Sequence, residues 1–155
     1  MMKTHKKLAS LLGLVATAAI LVAAIAPDTA PFHERKEVAG LAIVFGAEPE
    51  PALTEEMQFL RWRVSSLETE DPYTEFSGEV AITFDGQALG SFPIRGMRGS
   101  PGQYQTRHIF TAEGEYETLV SFKKGDAEEV HTVDFNFNIA DRGDLELPRR
   151  RRGGR

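Results

Sequence analysis

The sequence predicts an all-β protein, a seven-stranded immunoglobulin-like β-sandwich preceded by an N-terminal hydrophobic helix. Three observations support this prediction. Short stretches with an apolar residue at every second position recur after residue 37, as in half-buried strands. Turn-rich segments separate these stretches, and none shows the 3.6-residue apolar period of a helix of normal length. The 155-residue chain is 41% hydrophobic and has no cysteine, so a single domain must hold together by packing without disulfides.

The N-terminal segment, residues 1–26, has the layout of a secretory signal peptide. Three lysines within the first seven residues precede an apolar run from Leu8 to Ala26. This run of about 19 residues also approaches the length that spans the roughly 30 Å core of a bilayer. The sequence therefore predicts a periplasmic or other extracytoplasmic protein, either cleaved after the signal or anchored in the inner membrane through residues 8–26. Residues 27–37 are interpreted as a stalk, and residues 38–140 as the β-sandwich domain.

The first four predicted strands are VAGLAIVF, MQFLRWRV, EVAITF and ALGSFPI. In the first three, every second residue is apolar, which is typical of a strand with one buried face. Their predicted inward residues are Leu41, Ile43, Phe45, Leu60, Trp62, Val64, Val80, Ile82 and Phe84. Asp85-Gly86 indicates a tight turn into the fourth strand. Pro93 lacks a donor for ladder hydrogen bonds, so it favours an edge position for that strand.

The last three predicted strands are YQTRHIF, YETLVSF and HTVDFNFNI. The first two follow Gly-x-Tyr motifs at Gly102 and Gly114, where glycine suits the turn that precedes each strand. Tyr104 is the first predicted inward residue of its strand. We predict that the hydroxyl of Tyr116 returns to the backbone a few residues upstream, forming the tyrosine corner of immunoglobulin-like domains. Residues 141–155 are predicted to be a disordered, arginine-rich tail.

The stretch GQYQTRHIFTAEGEYETLVSF, followed by VDFNFNI, resembles the C-terminal half of the YtkA-like and FixH-like exported domains. The resemblance covers residues 38–140 and rests on the two Gly-x-Tyr motifs and the alternating strands that follow them. It implies a small periplasmic or membrane-anchored domain. It also implies a link to copper, because some of these domains are associated with copper handling or with the assembly of copper-containing respiratory oxidases. The chain lacks the clustered Met and His residues of the more metal-suggestive members, and only Met97 and His108 stand near those positions.

Met97 and His108 are the candidate metal ligands in an alternative interpretation with copper as cofactor. Copper(I) favours thioether and imidazole ligands, and Met57 or His131 would supply a third. The spacing of these residues along the chain is not that of a known metal-binding motif. His108 and His131 share the parity of the apolar residues in their strands, so a position at the edge of the core explains both histidines equally well. Neighbouring arginines would disfavour a bound cation; they are Arg95, Arg98 and Arg107.

Charge and motif content restrict the classes of function. All 23 acidic residues lie between Asp28 and Glu146, a span that holds only 10 of the 18 basic residues, while PRRRRGGR ends the chain with five arginines. The excess of negative charge between Asp28 and Glu146 repels the phosphates of a nucleic acid, so binding to nucleic acid is not expected. The sequence contains no Gly-x-Ser-x-Gly elbow, no phosphate-binding loop and no thiol nucleophile, so an enzyme is not expected.

These observations predict a non-catalytic exported binding or accessory domain without a cofactor, which contacts a protein partner at the cell envelope. The alternative is a copper-handling accessory protein that uses Met97 and His108. Charged residues that face outward from the predicted strands are expected to pair across a sheet face or to form a mixed-charge contact patch. They are Arg61, Arg63, Arg107, Glu79, Glu115 and Glu117.

Overall fold

The computed structural model describes residues 34–145, which form an all-β fold. The strands are β1 (Glu34–Val38), β2 (Leu41–Glu48), β3 (Met57–Ser66), β4 (Phe76–Phe84), β5 (Gln87–Gly96), β6 (Gln103–Ile109), β7 (Gly114–Lys124) and β8 (His131–Ile139), followed by one turn of 3-10 helix (Arg142–Asp144). The predicted signal or anchor, residues 27–33 of the predicted stalk and the chain from residue 146 onward lie outside the described residues. Within residues 34–145, no helix has the length and apolar character needed to cross a membrane.

All seven predicted strands are confirmed, as β2 to β8, and β1 is an additional strand. β1 pairs antiparallel with β2, from Glu34 opposite Phe45 to Val38 opposite Leu41. The sheet therefore includes residues 34–37 of the predicted stalk. The β1 sequence, ERKEV, is charged at four of its five positions, so it lacks the apolar alternation that predicts the other strands.

The eight strands form one antiparallel sheet in the order β1-β2-β3-β6-β5-β4-β7-β8. β5 joins two halves, β1-β2-β3-β6 and β4-β7-β8, because its residues 87–94 pair with β4 whereas Arg95 and Gly96 pair with β6. β5 is therefore interior to the sheet as a whole. At Pro93, however, it pairs only with β4, so the proline stands where one side of the strand has no hydrogen-bonded neighbour. The sheet curls until its two outer strands approach each other, and Lys36 Nζ of β1 lies 2.9 Å from Asp134 Oδ2 of β8.

The concave side of the curled sheet encloses a single core of aromatic and aliphatic side chains. Phe45 connects the two halves, since its ring centroid lies 5.5 Å from that of Trp62 and 5.1 Å from that of Phe135. The strand parities predicted for β2 and β3 are confirmed, because their predicted inward residues are buried, whereas the predicted inward residues Phe84 and His108 are half-buried. Burial of such surface contributes about 25 cal/mol per Å², which stabilises the domain without disulfides.

The second Gly-x-Tyr motif forms the predicted tyrosine corner. The hydroxyl of Tyr116 donates a hydrogen bond to the carbonyl oxygen of Ala112 at 2.8 Å. Gly114 has a φ of +131°, and a Cβ there would lie 3.0 Å from the ring of Phe84. That ring in turn stacks on Tyr116, with centroids 4.5 Å apart. The glycine therefore permits both the turn and the close approach of the aromatic ring.

The first Gly-x-Tyr motif attaches the β3–β4 connection to β6. The hydroxyl of Tyr104 donates to the carbonyl oxygen of Tyr73 at 2.9 Å and accepts from the amide of Phe76 at 3.3 Å. Gly102 has a φ of +71°, and a Cβ there would lie 2.7 Å from the carbonyl oxygen of Val64. The two motifs thus have the same purpose, which is to hold a connecting segment against a strand.

The first residues of the predicted tail pack against the segment that precedes β3. The amide of Arg142 donates to Thr54 Oγ1 at 3.1 Å, and its guanidinium Nη1 lies 3.3 Å from Glu56 Oε1. Ala140 forms a parallel bridge with Leu53. The ordered domain therefore extends beyond residue 140, through the short helical turn to Leu145.

Candidate functional site

The structure places Met97 and His108 toward opposite ends of β6. Met97 lies in the β5–β6 turn, where its amide donates to the carbonyl oxygen of Gln103 at 2.8 Å. His108 lies five residues further along β6 than Gln103, which is about 16 Å at the rise of a strand. The structure does not bring the two candidate metal ligands together.

His108 lies half-buried at the edge of the core. Its ring is 4.9 Å from those of both Phe92 and Phe110, and burial lowers the pKa of His108 because the charged form loses hydration. Its cross-strand neighbour is Gln58, which is fully buried and donates through Nε2 to the carbonyl oxygen of Leu53 at 3.3 Å. These surroundings favour a neutral imidazole that packs as part of the core.

The two residues proposed as third ligands are also apart from this position. Met57 pairs with Ile109, so its side chain lies on the outer face of the sheet while that of His108 faces inward. His131 belongs to β8, where its ring lies 5.5 Å from that of Phe122. Among residues 34–145, no three His, Cys, Asp or Glu side chains are grouped so that they could hold a metal ion.

Five arginines share the outer face of the half formed by β1, β2, β3 and β6, together with the end of β5. We call this surface the arginine face, and its residues are Arg35, Arg61, Arg63, Arg95 and Arg107. Strand alternation places them there, because side chains on either side of each arginine in β3 and β6 turn toward the core. The sequence identifies three of the five as outward. Arg35 and Arg95 are recognised only from their register with outward residues of β2 and β6.

Four of these arginines surround Gln105. Arg61, Gln105 and Arg95 lie in one row across β3, β6 and β5, and two strand spacings separate the Cα atoms of the two arginines by about 10 Å. Arg63 follows Arg61 at a distance of about 7 Å along β3, and Arg107 follows Gln105 at the same spacing along β6. The guanidinium groups are therefore within reach of a single anionic surface.

Only part of this positive charge is compensated by carboxylates of the domain. Arg35 Nη2 lies 2.8 Å from Glu37 Oε1, and Arg61 forms an ion pair with Glu48. The Arg61 guanidinium also lies over the ring of Phe59, 5.6 Å from its centroid, which is a cation–π contact. The other three arginines take part in no ion pair within residues 34–145. The uncompensated arginines repel one another. An anion bound among them would offset this repulsion, so the face favours binding of negative charge.

Shallow cavities open along the arginine face. One of about 400 Å³ is lined by Arg61, Arg63 and Gln103 from β3 and β6, and by Gly46 of β2. Gly46 lies opposite Arg61 and has no side chain to fill the space. Another cavity, of about 340 Å³, lies between Arg95 and Arg107 with Gln105, Phe59 and Phe92 in its lining. The face therefore offers guanidinium donors, amide groups and aromatic rings together.

The outward glutamates lie on strands of the other half of the sheet, and Glu79 is opposite Pro93 of β5, two residues from Arg95. We call the outer surface of β4, β7 and β8 the acidic face, and its charged carboxylates are Glu79, Glu115, Glu117 and Asp134. Within residues 34–145 no ion pair joins Glu79, Glu115 or Glu117 to these arginines, so the predicted pairing across a sheet face is not observed. Strand parity places both sets outward, but the strand order separates Glu115 and Glu117 of β7 from β6 by two intervening strands, β5 and β4.

The arginine face has the chemistry of an anion-recognition surface. Guanidinium groups bind carboxylates through two parallel hydrogen bonds, and the glutamine amides add further donors. Comparisons with protein-family models, with curated proteins and with solved structures found no significant match. The function is therefore inferred from this surface and from the sequence.

Proposed function

We propose that this chain is a non-catalytic, exported interaction domain whose arginine face binds an acidic protein surface at the cell envelope. The observation that carries the proposal is the sorting of charge. The span from Asp28 to Glu146 has more than twice as many acidic as basic residues, yet five of its ten basic residues share one outer sheet face. A surface that serves only solubility mixes both signs, whereas this face carries five arginines against the two carboxylates of Glu37 and Glu48, and a predominantly positive patch steers and orients an acidic partner.

The proposed fold is an immunoglobulin-like sandwich with one added edge strand. The order β2-β3-β6 corresponds to strands A, B and E of that fold, and β5-β4-β7-β8 corresponds to C′, C, F and G. In this correspondence Tyr116 begins strand F, which is where immunoglobulin-like domains have their tyrosine corner. Such domains present sheet faces and loops to partners, which fits a binding function without catalytic groups.

Export is proposed from the N-terminal sequence. Residues 1–26 join three lysines to an apolar run, as in a signal peptide or an uncleaved anchor. The resemblance to YtkA-like and FixH-like domains supports the same periplasmic or membrane-tethered location. Copper handling through Met97 and His108 has no comparable support, because about 16 Å of strand separates their positions.

Binding of a fluorescently labelled poly-glutamate peptide tests the arginine face. All chains end at Leu147, so that the terminal arginines do not contribute. We expect Arg107→Gln to weaken binding several-fold and to reduce its salt dependence, because an unpaired cation of the binding face is lost. The matched control is Lys123→Gln, which removes one exposed cation from the opposite half and should change affinity less than twofold. Equal effects of the two substitutions would contradict the proposal, since they would report net charge alone.

A further inference from the structure

The arginine face has a charge complement on the outer surface of β4, β7 and β8 of the same molecule, and we propose that it binds this acidic face on a second copy of the chain. The inference rests on the proposed function, in which the arginine face is the binding surface, and it names the partner. Within one molecule Glu115 and Glu117 do not meet Arg61 and Arg63, because β7 and β3 are four strands apart in the curled sheet and their outward side chains point away from the core that the sheet encloses. Between two molecules they can stack, sheet on sheet.

The spacing of the charges on the two faces is compatible with such stacking. Glu115 and Glu117 are two residues apart on β7, and Arg61 and Arg63 are two residues apart on β3. Each pair therefore repeats at about 7 Å along its strand. When β3 of one copy lies along β7 of the other, both arginines reach a glutamate at once.

Exposed apolar residues accompany the charges on both faces. Leu119 is 47% exposed at the centre of the acidic face, beside Asp134 in register. Met57 and Ile109 are 41% and 47% exposed and pair with each other at the end of the arginine face. Exposed ion pairs alone contribute little to association. Burial of these apolar side chains between two copies would add a hydrophobic contribution to the binding free energy.

The symmetry of this contact determines the assembly that it produces. One face binds a different face, so each complex keeps one free arginine face and one free acidic face. Contacts of this heterologous kind form open chains unless their rotation closes a ring. The assembly should therefore grow beyond a dimer as the concentration rises. It should also weaken with salt, because exposed charges are screened over about 8–10 Å at physiological ionic strength.

Sedimentation velocity of the full chain, purified from the envelope, tests the inference with two charge-neutral variants. The arginine-face variant carries Arg63→Gln, Arg95→Gln and Arg107→Gln. The acidic-face variant carries Glu79→Gln, Glu115→Gln and Glu117→Gln. We expect the wild-type mass at low salt to rise past that of a dimer with concentration, and each variant alone to stay monomeric. An equimolar mixture should give a discrete one-to-one dimer, because each variant supplies the intact face that the other lacks.

The control is a chain in which Arg149 to Arg152 are replaced by serine, since these arginines are a second source of positive charge. It should assemble as the wild type does, and loss of assembly in this chain would overturn the inference. A wild-type chain that stays monomeric at low salt, or a mixture that does not dimerise, would also overturn it. If poly-glutamate binding still depends on Arg107 in that case, the proposed function stands and only the identity of the partner is wrong.

Discussion

Tyr104 and Tyr116 each hold a connecting segment against the strand that they begin. Their hydroxyls are bonded to backbone groups, and burial raises the pKa of both, so both remain neutral donors at physiological pH. The bonds differ in number. Tyr116 satisfies one carbonyl, that of Ala112, whereas Tyr104 satisfies both the carbonyl of Tyr73 and the amide of Phe76.

We expect Tyr116→Phe to lower the free energy of unfolding by about 1 kcal/mol. Tyr104→Phe should lower it more, because it leaves two backbone groups without a partner. Urea denaturation gives both values, and Tyr73→Phe is the control, with an expected change below about 0.5 kcal/mol for its partly exposed side chain. Unchanged midpoints for both Tyr104→Phe and Tyr116→Phe would show that neither hydroxyl holds its segment.

β1 shows how an element can form without a sequence signal of its own. Its register with β2 places Lys36 opposite Ile43, and Lys36 also reaches β8, with Nζ 2.9 Å from Asp134 Oδ2 and 5.5 Å from the centroid of Phe135. The ion pair raises the pKa of Lys36 and lowers that of Asp134 through their hydrogen bond. Both groups are close to solvent, so the pair itself contributes only about 0–1 kcal/mol. The larger effect is that β1 covers the edge of β2, which is buried along most of its length.

Removal of β1 should therefore destabilise the domain more than its charged sequence indicates. We expect a chain that begins at Val38 to have a lower thermal midpoint than a chain that begins at Glu34, because β2 becomes an exposed edge with unpaired backbone groups. Differential scanning calorimetry of the two chains measures the difference. Identical midpoints would mean that β1 does not contribute to the stability of the domain and that residues 34–37 behave as the predicted stalk.

At the scale of the whole molecule, the curl of the sheet separates residues that are near one another in sequence. Met97 and His108 are eleven positions apart, but the turn and the strand between them carry them to different ends of β6. His108 also faces the core, whereas the neighbourhood of Met97 contains the arginines of β5 and of the turn. A copper(I) site that uses both residues would require β6 to leave the sheet.

We expect the full chain to bind copper(I) weakly at most, and the double variant Met97→Leu, His108→Gln to fold and bind copper(I) as the wild type does. A competition titration with a chromophoric copper(I) chelator under reducing conditions measures the affinity. The single variant Lys123→Gln, which changes neither a methionine nor a histidine, is the control. Tight one-to-one binding that disappears only in the double variant would make the copper-handling alternative the better account of the protein.

The sequence by itself determined the positions of seven strands, the inward residues of the six that show alternation, and the corner at Tyr116. These features are local, because the two-residue period and the turn chemistry of Gly114 operate within a few positions of the chain. The imbalance between acidic and basic residues is likewise a count that needs no structure. Only β1, which has no alternation of its own, required a neighbour to become a strand.

The tertiary structure decided which outer face each outward charge occupies. Parity indicates that Arg63 and Glu117 point away from the core, but the outer surface of the curled sheet surrounds the core, and parity does not show which part of that surface each side chain occupies. The distinction depends on the strand order, in which β3 and β7 lie in different halves. That order arises from pairings between segments far apart in the chain, such as β3 with β6, so no local pattern encodes it. The arginine face, on which the proposed function depends, is for this reason a property of the fold.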